Sequence, residues 1–124
     1  PAPVVTPVVS PSTYRPAPVR NLTQVLSLTP RQAAQLRTIE RNAKVKEAAL
    51  ERQLAKAKAD LATAQRRVRP NRATVARLTR QIAQLERQLR ANERDKLAKA
   101  RAVLTSAQYR RYASLVSSGV RYVV

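Results

Sequence analysis

The sequence has no Cys, His, Met, Trp or Phe, and one Gly in 124 residues. Without Cys there is no disulfide framework, no thiolate nucleophile and no redox pair. Without Cys or His, the ordinary zinc, copper, haem and iron–sulfur ligand sets are missing. His-based acid–base chemistry is excluded too. Acidic residues are scarce, seven against 25 Lys and Arg, which disfavours a calcium cage. No run of about 20 apolar residues exists to span a bilayer. These absences lead us to expect a protein that is not an enzyme and holds no cofactor or metal. The missing Cys is compatible with an oxidising compartment. The chain begins at Pro1 rather than Met, so removal of an upstream segment is expected; a signal peptide there would mean secretion.

What is present is thin-core material. The apolar fraction is 44%, but 21 of those residues are Ala. Leu and Ala with few aromatics suit narrow helix–helix seams, not a wide globular core. One folded domain is expected at this length.

Six of the eight prolines lie in residues 1–20. Repeated Pro fixes φ and removes backbone donors, so this stretch reads as a Pro-rich extended tail, either a tether or a ligand for a Pro-binding module. From Leu28 the pattern becomes helical. Thr29 is placed as an N-cap, Pro30 takes the first helical position, and Gln32 completes a capping box. Leu28, just before the cap, can staple onto Ala33. Leu36, Ala43, Leu50, Ala57 and Ala64 then recur every seven residues, with Leu54, Leu61 and Val68 as a second row. The spacing predicts a helix over 30–68 with a coiled-coil-like seam, interrupted at Lys46. Pro70 breaks it and Asn71 can cap the next helix, predicted over 72–103. Val75, Leu78, Ile82, Leu85 and Leu89 form its stripe, which deteriorates where Asn92 and Lys96 take seam positions. Two long helices joined by so short a turn lie antiparallel. Leu104, Thr105 and Gln108 repeat the first start signal. A short helix should follow to Ser118, striped by Tyr109, Tyr112, Ala113 and Val116 and stopped by Gly119. The organisation read from sequence is a tail over 1–20, an all-α helical hairpin domain over 21–118 and a second tail over 119–124.

The formal net charge is +18, spread over both long helices. Arg37, Arg41, Lys44, Arg52 and Arg66 lie opposite the seam of the first. Arg80, Arg87, Arg90, Arg94 and Arg101 do the same on the second. Helical partners such as Glu40–Lys44 and Lys56–Asp60 neutralise only a few cations. Self-repulsion of this size calls for an anionic partner: nucleic acid, anionic lipid or acidic, partly unfolded protein.

The two Leu-Thr-x-x-Gln segments, Leu28–Gln32 and Leu104–Gln108, resemble the LTxxQ signature of the Spy/CpxP family of periplasmic proteins. One motif precedes a helical hairpin and one follows it, as in that family, and the likeness covers about residues 21–116. The resemblance implies a periplasmic all-α protein, an antiparallel homodimer with a basic face, and ATP-independent capture of unfolded clients or a role in envelope stress. By the same resemblance Leu28, Thr29, Gln32, Leu104, Thr105 and Gln108 are structural positions that lock the short helices onto the hairpin. Three features depart from the family: there is no Met-rich surface, there are no His or Met metal ligands, and a long Pro-rich tail precedes an unbroken first helix. The reading of the residues ranks two functions ahead of a membrane-surface adaptor, whose helices would need a wider apolar face than this narrow seam. One is charge-steered client capture completed by exposed Leu and Tyr. The other is nonspecific contact with nucleic-acid phosphates, with Tyr14, Tyr109, Tyr112 and Tyr122 as the only stacking candidates.

Overall fold

The computed structural model describes residues 18–124. The tail expected over 1–20 lies outside the described residues up to position 17. The described fold is all-α, a long helical hairpin with short flanking elements. In chain order these are β1 (Arg20–Asn21), α1 (Leu22–Val25), α2 (Pro30–Gln65), α3 (Arg72–Val103), α4 (Ser106–Ser118) and β2 (Tyr122–Val123).

The helix starts follow from local chemistry. Thr29 Oγ1 accepts from the Gln32 N–H at 3.1 Å, and Gln32 Oε1 accepts from the Thr29 N–H at 3.0 Å. Both halves of the capping box are therefore made, with Pro30 just inside. Thr105 and Gln108 repeat this, at 3.2 and 2.9 Å. Asn71 Oδ1 accepts from two backbone N–H groups at the start of α3. Gly119 closes α4 in the left-handed conformation, φ 72°.

α2 and α3, about 54 and 48 Å long at 1.5 Å per residue, pack against each other along the hairpin. Cross-helix contacts run from Gln32–Val103 through Glu40–Lys96 to Ala43–Asn92. Each step up α2 matches a step down α3, so the helices are antiparallel and in register. Mid-hairpin, Leu50, Ala57 and Leu85 form a small core flanked by Leu54, Ile82 and Leu89. The larger core sits at the base. There Leu22, Leu26, Leu28, Ala33, Leu36, Ala100, Leu104 and Tyr112 are buried together. Leu28 and Ala33 share this cluster, as a hydrophobic staple requires.

Four details differ from the sequence reading. α2 ends at Gln65, not at residue 68, and Val68 is fully exposed. The chain turns ahead of Pro70, which disfavours helix in the residue before it. α1 was not anticipated. Asn21 caps it, and it ends with the Ser27 and Leu28 N–H groups donating to Gln24 and Thr23 carbonyls. Ser27, φ 53°, stands where such an ending usually has Gly. The third difference is the segment read as a tail over 119–124: it pairs through β2 with β1, in parallel, Arg20 opposite Tyr122 and Asn21 opposite Val123. The folded unit thus includes Arg20 and extends past Ser118. Finally, the stripe expected to deteriorate at Asn92 and Lys96 continues there as a polar stretch of the same α2–α3 seam. Asn92 is buried and its Nδ2 donates to the Ala43 carbonyl at 2.9 Å; the Lys96 side chain is 10% exposed.

Candidate functional site

At the base, the two caps are one structure. Gln32 Nε2 donates to Gln108 Oε1 at 3.0 Å and to the Val103 carbonyl at 3.2 Å. Gln108 Nε2 donates to the Leu26 carbonyl at 3.1 Å and more weakly to Gln32 Oε1 at 3.4 Å. Helix ends leave carbonyls without intrahelical partners. Leu26 and Val103 stand at the ends of α1 and α3, and the two amides supply donors to both. A capping box accepts Glu or Gln, but only an amide can cap its own helix and donate to another. That explains Gln at both positions. The sequence reading placed the two boxes correctly; it had no signal for their contact, because the glutamines are 76 residues apart.

Beside this lock lies a polar centre that the sequence did not reveal. Glu40 of α2 accepts hydrogen bonds from the hydroxyls of Tyr112 and Tyr122, the latter at 2.6 Å. Lys96 Nζ lies 4.0 Å from Glu40 and 3.1 Å from Glu93. Four elements meet at one carboxylate. Glu40 therefore pairs across the fold with Lys96, not along its helix with Lys44. Lys56–Asp60 is made as anticipated, at 3.1 Å. Burial, then the Glu40 hydrogen bond and charge, push both phenols above their ordinary value of 10.0. Both hydroxyls therefore stay protonated in the fold while the unfolded chain begins to release their protons near pH 10. Stability is expected to be intact below pH 10 and to fall above it, with about two protons of slope. Tyr122→Phe should cut that slope to about one in alkaline denaturation followed by circular dichroism.

Glu47 is exposed on α2 but partly desolvated beside the seam; that desolvation first, and then the neighbouring Glu51, raise it above its usual range, a modest effect at an exposed site. A raised carboxyl contributes stability only below the unfolded value, and this is lost as pH rises through the folded one. Glu47→Gln should therefore raise the melting temperature at pH 7. The gain should vanish below about pH 3, where both states are protonated.

The hairpin's outer faces carry the charge. Arg37, Arg41, Lys44, Arg52, Arg66, Arg80, Arg87, Arg90, Arg94 and Arg101 are all exposed. Among the described residues, none of them forms an ion pair with a carboxylate. Three have intramolecular roles. Arg37 Nε donates to the Val124 carbonyl at 3.1 Å. Arg66 Nε donates to the Ala62 carbonyl at the end of α2. The Arg101 guanidinium lies 5.4 Å from the Tyr109 ring centre. The other seven project into solvent. Arg80, Arg87, Arg94 and Arg101 follow one another at seven-residue steps, about 10.5 Å apart along α3.

The apolar half of the anticipated site is different. No Leu or Tyr is exposed among the described residues. The exposed large apolar side chains there are Val19, Val45, Val68 and Val123. Most of the leucines went into the two cores, because a thin hairpin has little other apolar contact to offer. Tyr112 is buried, Tyr109 and Tyr122 are half-buried against the base cluster, and the Tyr109 ring is faced by Arg101; Tyr14 lies outside the described residues. No helix among the described residues is long and apolar enough to cross a membrane. No family model, curated protein or solved structure matches the chain.

Proposed function

We propose that the protein is an ATP-independent, chaperone-like or envelope-stress binding protein of the bacterial periplasm, which captures unfolded or acidic client proteins on its basic hairpin. The observation that carries this reading is the set of solvent-projecting cations that have no carboxylate partner among the described residues. They attract anionic chains over a Debye length of about 8 Å at physiological salt and speed encounter. Capture is then led by charge, with guanidinium groups binding client carboxylates in bidentate fashion. Arg and Lys stems supply part of the apolar contact. The paired LTxxQ segments add the resemblance to Spy/CpxP proteins and, with it, the compartment. A second copy packed along the half-buried Leu54, Leu61, Val75 and Ile82 would thicken the thin seam, so the working unit is a homodimer. Sedimentation showing a fully helical monomer at micromolar concentration would refute that part.

Two assays at about 150 mM salt test the function. Sub-stoichiometric protein should suppress aggregation of a chemically denatured client. It should retain random duplex DNA weakly. Strong DNA retention without suppression would instead support phosphate-backbone binding.

A further inference from the structure

The closed surface offers little to an apolar ligand, yet one part of it is a cover. After Gly119 the chain leaves α4 and runs back beside α2. Val120, Tyr122 and Val124 are half-buried while Arg121 and Val123 are exposed, the alternation of a strand with one face inward. Tyr122 and Val124 pack on the base cluster. The Tyr122 ring meets that of Tyr112 edge-on, with centroids 6.1 Å apart. Besides the two-residue pairing of β2 with β1, three hydrogen bonds hold the segment. The Arg20 N–H donates to the Arg121 carbonyl at 3.0 Å, the Tyr122 hydroxyl to Glu40 at 2.6 Å and Arg37 Nε to the Val124 carbonyl at 3.1 Å. A two-stranded pairing of this length is marginal by itself. The depression does not end at the segment: a cleft of ≈ 240 Å³ continues beside Tyr122, lined by Glu40, Ala43, Lys44, Glu47 and Lys96.

We propose that Val120–Val124 is a displaceable strap, an internal stand-in for an extended segment of an unfolded protein. The strap's own pattern defines the ligand: a tyrosine or similar aromatic residue, then an aliphatic residue two positions on. Such a segment takes over the pairing with β1, while its aromatic ring fills the site of Tyr122 against Tyr112. This rests on the client-binding reading and supplies its apolar half. The closed strap lowers apparent affinity by the fraction of molecules that are open.

The test titrates the full chain with a labelled peptide of sequence GVRYVV and reads fluorescence anisotropy. Tyr122→Ala, with helicity retained by circular dichroism, should bind at least tenfold tighter than the unaltered protein. A peptide with serine in place of its tyrosine and last valine should not bind. A second variant covers the case in which Tyr122→Ala loses helix. Asn21→Cys with Val123→Cys joins facing positions in a chain that has no other cysteine. Its oxidised form should lose peptide binding and recover it on reduction. Equal binding by all forms, or none by a helical Tyr122→Ala, overturns the strap. Client protection is read separately. Peptide binding without protection of a denatured client leaves the strap standing and refutes the reading it rests on; protection without peptide binding does the reverse.

Discussion

Tyr112→Ala is expected to cost about 3–5 kcal/mol of stability, the usual range for truncating a buried aromatic. Tyr112 is completely buried. Its ring anchors α4 in the base cluster and its hydroxyl serves Glu40. Truncation opens a cavity and leaves the carboxylate with one phenol fewer. Domains of this kind have about 5–15 kcal/mol in total, so the loss is a large share. Tyr112→Phe separates the two contributions. It keeps the ring and should cost about 1–2 kcal/mol, the effect of leaving a part-buried acceptor short of one donor. Urea denaturation followed by helicity measures both. A Tyr112→Ala midpoint unchanged from that of the unaltered protein would mean that α4 does not hold the base together.

Gln108→Glu reads the lock between the two caps through the sign of its effect. As an isolated capping box, the change should be neutral or mildly stabilising, because a carboxylate accepts from the Thr105 N–H and suits a helix N-terminus. In this fold the Gln108 amide also donates to the Leu26 carbonyl and faces Gln32. A carboxylate cannot donate. It would leave the Leu26 carbonyl without its amide donor and set acceptor against acceptor. The expected cost at pH 7 is about 2 kcal/mol. The introduced carboxyl should have a raised pKa in the fold, so the deficit should shrink as pH falls into the ordinary carboxylate range. A neutral or stabilising result at pH 7 would show two independent caps.

The parts of this fold that could be read from sequence are those made by short-range chemistry. Thr29 with Gln32, Thr105 with Gln108, Asn71 and Gly119 act within four residues of themselves, and each marks a helix boundary found in the structure. Seven-residue spacing in α2 and α3 gave the seam and, with the short turn, the antiparallel hairpin. The exposed basic faces follow from the same wheel. The rest depends on contacts between distant positions. Asn92 and Lys96 look like breaks in a stripe, because a stripe cannot show the Ala43 carbonyl or the Glu40 carboxylate waiting across the seam. Glu40 looks like half of a helical ion pair, because Tyr112 and Tyr122 are 72 and 82 residues away. β1 and β2 are two residues each and exist only as partners. Val68 continues the heptad on paper, but Pro70 had already ended the helix. Seam leucines such as Leu50, Leu54 and Leu85 are readable as core and pack there; periodicity cannot show that no Leu or Tyr is left exposed among the described residues.

The central claim is that unpaired guanidinium groups along the hairpin capture unfolded clients. Reversing three of them tests it most directly, with Arg87→Glu, Arg90→Glu and Arg94→Glu combined in one protein. These side chains are exposed and make no ion pair with a carboxylate among the described residues, so helicity should persist. The measurement is suppression of aggregation of a denatured acidic client at about 150 mM salt. The account predicts that protection falls at least tenfold while the helical spectrum is unchanged; protection equal to that of the unaltered protein would contradict it.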